Sequence, residues 1–384
     1  MLALAMGGFA IGTTEFAAMS LLPYFSAGLG VDAPTAGHVI SAYALGVVVG
    51  APVIAVLGAK FARRTLLIGL MIVFAIANGL SALAPDYHSM LFFRFLSGLP
   101  HGAYFGVAAL VAVSLVPPGK RAQAASRVMA GLTIATVIGV PAANALGQTI
   151  GWRWGFGIVA LLAGITALLV WRFAPHDRPP EGAGPLRELG ALGKRQVWLT
   201  LATGAVGFGG LFAVYTYLAS TMIEVTHVSP ALIPVILGIF GVGLTIGNLA
   251  AAWFADRALI ATAAGMLLFS AAAQLLFTVS ADSIWTLAPV IFLIGCGGGL
   301  GPVLQIRLMD VAGDAQILAA ALHHAAFNLA NALGPLLGGM AIAAGLGWTS
   351  TGWVGALLAL GGLAVLGLSV MDQRATDRRL AAAC

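Results

Sequence analysis

The chain has 384 residues, of which 60% are hydrophobic and 8% are charged, and its mean hydropathy is +1.01. Soluble domains carry about 25% charged residues and about 45–50% apolar residues. This composition excludes a water-soluble fold, because a folded domain still exposes a large outer shell to its solvent. The surrounding solvent is therefore expected to be lipid. The 51 glycines agree with this expectation, because small residues let membrane helices approach closely.

Twelve apolar runs are long enough to span a bilayer, which needs about 20 apolar residues. In chain order they are 3–27, 36–58, 65–84, 89–115, 124–149, 153–173, 197–223, 231–254, 258–280, 284–307, 315–345 and 348–371. The long polar stretch APHDRPPEGAGPLRELGALGKRQ, rich in Pro and Gly, separates the sixth run from the seventh. The pattern predicts an all-α integral membrane protein with twelve transmembrane helices. They form two six-helix bundles, 1–174 and 196–384, joined by a cytoplasmic linker at 175–195.

Basic residues concentrate in the loops on one side of the predicted bundle. With the start of the first helix placed in the cytoplasm, the basic residues of the cytoplasmic loops are Lys60, Arg63, Arg64, Lys120, Arg121, Arg127, Arg172, Arg178, Arg187, Lys194, Arg195, Arg257, Arg307, Arg374, Arg378 and Arg379. The opposite loops contain Asp32, Asp86, Glu224 and Asp282, with Arg153 as their only base. This positive-inside pattern predicts a multi-pass protein of the inner (plasma) membrane with both termini in the cytoplasm. The net charge of +5 then anchors topology, and we expect no nucleic-acid partner.

The two predicted halves repeat each other at corresponding places. GAKFARR (58–64) follows helix 2, and AWFADR (252–257) follows helix 8. GVPAANALGQTIGW (139–152) closes helix 5, and LGPLLGGMAIAAGLGW (333–348) closes helix 11. Pseudo-symmetric halves of this kind indicate a transporter in which the halves rock about a central site.

The motifs resemble those of the major facilitator superfamily, in particular its drug:proton antiporter branch with arabinose- and sugar-efflux permeases. GFAIGTTEFAAMSLLPYFSAGLGV (8–31) is similar to the first helix of that branch, and RFLSGLPHGAYFG (94–106) resembles the helix-4 motif. AGLTIATVIGVPAANALG (130–147) resembles the antiporter-specific motif of helix 5, and GPLLGG (334–339) repeats it on helix 11. The resemblance implies the twelve-helix fold and proton-driven export.

The resemblance also implies which residues would act in gating. The loop after helix 2 has Ala62 before Arg63, where the family has an Asp-Arg pair, and the pair is present only in the second half as Asp256 and Arg257. Arg63 and Arg64 remain candidates for cytoplasmic gating. The conformational elements on helices 5 and 11 are Gly139, Pro141, Gly334 and Pro335.

Glu15 is the first candidate for proton coupling. A charge at the bilayer centre costs about 2.5–3.5 kcal/mol on insertion scales, so it is expected to have a function or a buried partner. Gly8, Gly12, Glu15 and Met19 share one helical face, which packs closely and directs the carboxylate inward. The alternative interpretation is a structural carboxyl, hydrogen-bonded between helices.

Arg94 is the second candidate, because it is expected in the same outer half of the membrane as Glu15. The two could meet directly, or through water or substrate. Arg94 stays protonated, so the carboxylate would be the group that switches. The resemblance implies a role for this Arg in proton coupling, and a snorkelling Arg at the interface is the alternative. His101, seven residues further on, shares its face and either relays protons, binds substrate or packs through a hydrogen bond.

The remaining polar positions are candidates for the substrate cavity. His324, Asn328 and Asn331 form a stripe at i, i+4 and i+7, which either lines the cavity or makes interhelical hydrogen bonds. No metal site is expected, because the adjacent His323 and His324 project apart. The other cavity candidates are Met19, Phe105, Asn144 and Tyr215, the last because the resembled family lines its cavity with helices 1, 4, 7 and 10. Tyr217 alternates with Tyr215, so at most one of the two faces the cavity fully.

The sequence therefore predicts a secondary exporter that exchanges inbound protons for an outbound small molecule. It would work as a monomer by alternating access, without a cofactor and driven by the proton gradient. A neutral polar solute such as a sugar, or an uncharged lipophilic drug, is expected, because Glu15 and Arg94 would neutralise each other. Proton-coupled uptake and a non-transporting sensor remain alternatives. An intramembrane enzyme is disfavoured because no HExxH or GxSxG motif is present.

Overall fold

The computed structural model describes residues 1–58, 61–117, 121–175, 192–312 and 316–383, and this part of the chain is helical. In the first half the helices are α1 (Leu2–Ser20), α2 (Leu22–Leu29), α3 (Ala33–Gly58), α4 (Arg63–Ala82), α5 (Tyr87–Ser114), α6 (Arg121–Ile134), α7 (Val140–Ile150) and α8 (Trp152–Phe173). In the second half they are α9 (Arg195–Gly207), α10 (Gly209–Glu224), α11 (Ile233–Ser280), α12 (Ile284–Cys296), α13 (Leu300–Ala312), α14 (Gln316–Ala341) and α15 (Ser350–Ala383). Most of the predicted linker, 175–195, lies outside the described residues.

In the described part, eleven helical segments are long and apolar enough to cross a membrane. One of them, Pro230–Ser280, has 51 residues, about 76 Å of straight helix at 1.5 Å per residue. It reverses direction at Ala258, whose φ of −155° and ψ of 74° are not helical. A methyl group on Gly247 would lie 2.1 Å from the Cys296 carbonyl oxygen, and one on Gly297 would lie 2.7 Å from Ser270 Oγ. Gly247 and Ser270, which lie on either side of Ala258, are thus both close to the end of α12, and the division into spans at 231–254 and 258–280 stays a prediction.

A short π-helix, Ala135–Gly139, connects α6 to α7 just before Pro141. Proline has no backbone N–H, so the regular hydrogen bond is missing there and the helix widens. At the same place α6 and α7 approach α1 closely, because a methyl group on Gly139 would lie 2.3 Å from Thr13 Oγ1. The Gly-x-Pro pattern thus produces both an irregular turn and a close helix contact.

Two helices at one end of the bundle begin at acidic caps. Asp32 Oδ1 accepts a hydrogen bond of 2.8 Å from the Thr35 backbone N–H at the start of α3. Asp86 Oδ1 accepts one of 3.0 Å from the Ser89 backbone N–H at the start of α5. Hydrogen bonds from the Thr35 side chain and backbone lower the pKa of Asp32, and the backbone bond from Ser89 lowers the pKa of Asp86. These acidic residues stabilise the helix starts by satisfying free N–H groups.

Hydrogen bonds join the helix ends on this side of the bundle, which we call the distal end. They connect His38 Nδ1 with Tyr87 OH (3.0 Å), Arg153 with the Ala84 carbonyl (3.0 Å), Gln148 with the Pro230 carbonyl (2.9 Å) and Thr226 with the Ala281 carbonyl (2.7 Å). The bond from Gln148 to Pro230 crosses between the halves. The halves are therefore closed against each other at the distal end.

Further contacts between the halves lie deeper along the same interface. Ser41 Oγ donates to the Ala332 carbonyl over 2.9 Å, which joins α3 to α14. The rings of Phe16 on α1 and Phe212 on α10 stack with their centroids 6.2 Å apart. A methyl group on Gly241 would lie 2.5 Å from the Thr136 carbonyl oxygen, so α11 also approaches the π-helix closely. This interface leads to the central polar residues.

Candidate functional site

Glu15 lies on α1 with only 7% of its surface exposed, and its carboxylate reaches the other half of the protein. Its Oε1 accepts a hydrogen bond of 3.1 Å from Asn331 Nδ2 on α14, which is fully buried. Gly8 and Gly12 on the same helix let α1 pack closely against α6, because methyl groups there would lie 2.8 Å from the Val128 carbonyl oxygen and 3.1 Å from Leu132 Cα. The glycine face thus packs against α6, whereas the carboxylate faces the second half.

Arg94 on α5 is completely buried within the first half. Its Nη1 lies 3.1 Å from Thr14 Oγ1, 3.4 Å from Asn78 Oδ1 and 3.5 Å from Ser97 Oγ. The guanidinium also lies over the ring of Tyr43, 4.3 Å from the centroid. These contacts exclude the alternative of a snorkelling Arg. They replace water around the cation with hydroxyl groups, an amide and an aromatic face.

Glu15 and Arg94 do not form a direct ion pair. The ion pair within 4.0 Å that occurs in the described part of the chain joins Arg195 and Asp372, far from this site. Arg94 instead hydrogen-bonds to Thr14, the neighbour of Glu15 in the sequence. Of the two arrangements that the sequence allowed, direct contact is therefore not the one present.

His101 on α5 connects the Arg94 cluster to the second half. Its Nδ1 lies 2.9 Å from Tyr43 OH, the hydroxyl of the ring that covers Arg94. Its ring centroid lies 6.5 Å from that of His324 on α14. Phe105, one turn further along α5, stacks on His324 with centroids 5.4 Å apart and planes at 8°. The result is a continuous series of polar and aromatic contacts from Arg94 to α14.

The Tyr43–His101 hydrogen bond is expected to stabilise the protein because both groups are buried. Replacing Tyr43 with Phe leaves His101 Nδ1 without this partner, which costs about 1–3 kcal/mol of unfolding free energy, while the ring over Arg94 remains. Thermal unfolding in detergent measures the loss. The matched control is Tyr87→Phe, because Tyr87 makes a similar bond to His38 at an exposed site, where we expect a change within about 0.5 kcal/mol. Equal effects of the two variants would contradict the importance of burial.

The polar stripe on α14 divides into three different environments. Asn331 hydrogen-bonds to Glu15, and the ring of His324 contacts Phe105. Asn328 Nδ2 donates a hydrogen bond of 2.9 Å to the His324 carbonyl of its own helix. The carbonyl oxygens Oδ1 of Asn328 and Asn331 are buried without a hydrogen-bond partner. The stripe therefore makes an interhelical hydrogen bond and also presents free acceptors at the interface.

Tyr215 on α10 lies at the same interface between the halves. Its ring packs edge-on against Phe16, 5.5 Å between centroids, and its buried hydroxyl has no hydrogen-bond partner. Tyr217 points elsewhere and donates 2.9 Å to the Pro335 carbonyl. The two tyrosines thus occupy different faces, as their spacing predicts. Met19 on α1 is fully buried in the same apolar cluster as Phe16 and Tyr215.

Asn144 lies apart from this group. Its Nδ2 donates a hydrogen bond of 2.8 Å to the carbonyl of Ser20, where α1 ends, and its Oδ1 accepts one of 2.7 Å from Gln148. Both of its polar atoms are thus satisfied inside the first half. Asn144 supports the break between α1 and α2, and its place in the substrate cavity stays a prediction.

The predicted gating residues lie outside the central group. Arg64 donates from Nη2 to the Trp171 carbonyl, which ties α4 to α8, and Arg63 begins α4 beside it. Arg257 donates 2.7 Å to the Trp253 carbonyl of its own helix and stacks over that ring at 3.4 Å. Its neighbour Asp256 is exposed. The Asp256–Arg257 pair therefore makes no ion pair within 4.0 Å in the described part of the chain.

The Gly-Pro pair on α14 is a close-packing element. A methyl group on Gly334 would lie 2.3 Å from the Gly209 carbonyl oxygen at the start of α10. Pro335 supplies the carbonyl that Tyr217 OH binds. On the other half Gly139 packs against α1 and Pro141 follows the π-helix. Both motifs thus fix the helices that carry Glu15 and Tyr215.

Three residues of the Arg94 environment were not predicted from the sequence. Tyr43, Thr14 and Asn78 surround the cation, and Thr14 Oγ1 also donates a hydrogen bond of 2.8 Å to Asn78 Oδ1. The available signal was an amide side chain in a mostly apolar run, as for Asn78 in 65–84. Such residues in membrane helices usually face a partner helix.

The helix arrangement and the motifs together define the class of protein. The profile of the Major Facilitator Superfamily matches residues 4–309 and 213–383. The chain belongs to this superfamily of membrane transporters, as the motifs predict. It is 42% identical over 371 residues to the inner membrane transport protein YdhP of Escherichia coli (strain K12), covering 95% of this chain and 94% of that protein.

Two further relatives carry names that mention a small molecule. A chloramphenicol resistance protein of Streptomyces lividans is 34% identical over 375 residues, covering 96% of this chain and 94% of the relative. A probable sugar efflux transporter of Helicobacter pylori (strain ATCC 700392 / 26695) is 30% identical over 360 residues, covering 93% and 91%. The fold also matches the crystal structure of a bacterial homologue of the human lysosomal transporter Spinster, inward-facing and occupied. The TM-score is 0.75 at 17% identity, covering 96% of each chain.

Proposed function

We propose that the protein is a proton-coupled exporter of a small neutral molecule, such as a sugar or a lipophilic drug, that works by alternating access. The observation that carries this proposal is the buried hydrogen bond between Glu15 and Asn331, because it joins a titratable group of one half to the other half. A transporter of this kind couples its two ligands, the proton and the solute, through a part of the protein that has two states. In this proposal the two states are those in which the Glu15–Asn331 bond is formed and broken.

The chemistry of the two side chains supports both protonation states. An ionised Glu15 only accepts hydrogen bonds, and Asn331 Nδ2 donates to it. A protonated Glu15 can donate, and the buried Oδ1 of Asn331 has no other partner. Arg94 keeps its proton and remains in its cage of Thr14, Asn78 and Ser97. Glu15 is therefore the group that exchanges the proton in this proposal, with His101 as a relay toward α14.

The distribution of charge supports an orientation for the bundle. We propose twelve spans, with Pro230–Ser280 counted as two, and both termini in the cytoplasm. The distal end, with its acidic caps Asp32 and Asp86, is then outside. The contacts that close the distal end describe a conformation shut toward the outside.

The substrate class follows from the local balance of charge. In the described part of the site, an ionised Glu15 balances the charge of Arg94 on a neighbouring helix, so in the state that binds substrate a solute with a permanent charge would find no unbalanced partner. The unpartnered acceptors and hydroxyl of Asn328, Asn331 and Tyr215 suit a neutral hydrogen-bonding solute. The names of relatives that mention sugar efflux and chloramphenicol resistance support the same class.

The test uses inverted membrane vesicles with an acidic interior and a pH-sensitive dye. We expect that a substrate from a panel of sugars and uncharged antibiotics releases protons from vesicles with the native protein, and that Glu15→Gln abolishes this release. The matched control is Asp282→Asn, which neutralises an exposed carboxylate at the distal end and is expected to leave release unchanged.

Other results would contradict the proposal in distinct ways. Proton release that survives Glu15→Gln would make this carboxyl structural. Accumulation of a solute by right-side-out vesicles together with inward proton movement would establish uptake instead of export. Binding of a solute without any counterflow would indicate a sensor.

A further inference from the structure

A cavity of about 220 Å³ lies between the two halves at the distal end, away from Glu15. Pro23, Ser26 and Ala33 of the first half line one side, and Ser220, Glu224 and Trp348 of the second half line the other. Its polar and apolar surfaces are mixed, and none of these residues belongs to the central group around Glu15 and Arg94. The cavity thus lies on the route that a solute would take from the central site to the outside.

Two hydroxyl groups on α10 near this cavity lack hydrogen-bond partners. Thr216 is fully buried and Ser220 is 4% exposed, and neither Oγ atom has a partner. Buried hydroxyls in membrane helices usually bond to the carbonyl three or four residues earlier, as Thr221 Oγ1 does to Tyr217 over 2.9 Å. Because Thr216 and Ser220 do not use this option, their hydroxyls are available to a ligand.

These hydroxyls belong to one continuous face of α10. Thr216, Ser220 and Glu224 follow each other at intervals of four residues, so they form a ridge about 12 Å long. The ridge begins beside Tyr215, whose ring contacts Phe16 of the first half and whose hydroxyl is also unpartnered. It ends at the exposed carboxylate of Glu224 in the cavity wall. The ridge therefore runs along α10 from the level of Tyr215 to the cavity wall.

The groups on the ridge define the chemistry of the ligand. Hydroxyls donate and accept hydrogen bonds, and a carboxylate accepts them from two oxygens. Trp348 adds an aromatic surface with one N–H donor. Pockets for drug-sized ligands are about 300–1,000 Å³, so this cavity favours a smaller solute rich in hydroxyl groups.

We propose that this cavity is a second solute site for a small neutral polyhydroxylated molecule of pentose or hexose size, held by Ser220, Glu224 and Trp348 as it leaves the central site. The proposal rests on the proposed export function and deepens it by choosing sugars over drugs. In the closed conformation the site holds the solute on the distal side. When the distal end opens, the same face lies along the exit.

The test uses Ser220→Cys in a chain whose two native cysteines, Cys296 and Cys384, are replaced by Ser. A membrane-impermeant thiol reagent is added to intact cells, with arabinose, xylose, glucose or chloramphenicol as the probe. We expect labelling that at least one sugar slows and chloramphenicol does not. At a sugar concentration of ten times the dissociation constant, labelling should slow by about tenfold, because only the unoccupied fraction reacts. Adding Glu224→Gln should weaken this protection.

Ser229→Cys is the matched control, because Ser229 is exposed in the loop after α10 and does not line the cavity. Its labelling should be equally fast with and without sugar. Labelling of Ser229→Cys without labelling of Ser220→Cys would overturn the proposal, as would protection by chloramphenicol alone or by no sugar. If sugars protect Ser220→Cys but Glu15→Gln leaves proton release intact, the cavity is a sugar site and Glu15 does not couple transport to protons. If proton release depends on Glu15 but no sugar protects Ser220→Cys, the proposed coupling stands and the sugar site is rejected.

Discussion

Replacing Arg94 with Met is expected to leave the protein folded and to weaken coupled transport strongly. Removal of one member of a buried charge pair is costly when the other stays ionised, but Glu15 can take up a proton and become neutral when Arg94 is absent. The neighbours of Arg94 keep other partners, because Thr14 Oγ1 donates to Asn78 Oδ1 and Ser97 Oγ donates to the Arg94 backbone carbonyl. Coupling between two ligands is typically worth about 1–3 kcal/mol, or about 5- to 150-fold, so we expect a loss of transport in that range.

The measurement pairs thermal unfolding in detergent with proton release in inverted vesicles. Arg94→Lys keeps the charge but not the planar guanidinium over Tyr43, so we expect it to lose transport as well. Arg153→Met is the control, because Arg153 stacks on Trp152 at the distal end, and it should transport normally. Unfolding of Arg94→Met would show a structural role for the cation. Normal transport by this variant would remove Arg94 from the mechanism.

The largest loss of stability is expected for Gly98→Ala on α5. A methyl group on Gly98 would lie 2.0 Å from the Tyr43 carbonyl oxygen and 3.0 Å from Gly46 Cα, so α3 and α5 would have to separate. Insertion of a methyl group into a packed interface typically costs about 1–3 kcal/mol, and here the opposing atoms belong to the backbone and cannot rotate away. The same shift would move Tyr43 away from Arg94 and His101. Thermal unfolding should therefore show a lower midpoint, and vesicles should show weaker transport.

Gly106→Ala is the matched control for this variant on the same helix. No atom lies within 4 Å of a methyl group at Gly106, so the substitution is expected to be neutral or to stabilise by up to about 1 kcal/mol through helix propensity. Equal midpoints for the two alanine variants would show that α3 and α5 can adjust at little cost. Such a result would contradict the rigid contact between these helices.

The apolar runs predicted the helices well because a bilayer demands long apolar segments. The run 153–173 corresponds to Trp152–Phe173 and the run 65–84 to Arg63–Ala82. The interruption at Ala258 was visible because the charged pair Asp256 and Arg257 precedes it and separates the runs 231–254 and 258–280. The break at Phe208 between α9 and α10 was not visible, because it lies in apolar sequence without a proline beside it. Tertiary packing determines that bend, and hydropathy contains no record of it.

The sequence indicated which positions of the site are polar, but it did not indicate their partners. Glu15 and Asn331 were both candidates, yet their hydrogen bond joins residues 316 positions apart. Spacing along one helix establishes a shared face and gives no information on which helix covers it. Asn144 shows the same limit. It lies in the helix-5 motif at 130–147, but that motif did not indicate that its side chain donates a hydrogen bond to the Ser20 carbonyl.

The free energy of the hydrogen bonds between the two halves is of the same order as the free energy that one proton would supply in the proposed mechanism. The hydrogen bonds from Ser41 to Ala332 and from Gln148 to Pro230 cross between the halves, together with the bond from Asn331 to Glu15. Each such bond contributes about 0.5–1.5 kcal/mol. One elementary charge that crosses about 100 mV releases about 2.3 kcal/mol. In the proposed cycle, one inbound proton would therefore supply a free energy comparable to that of about two of these hydrogen bonds.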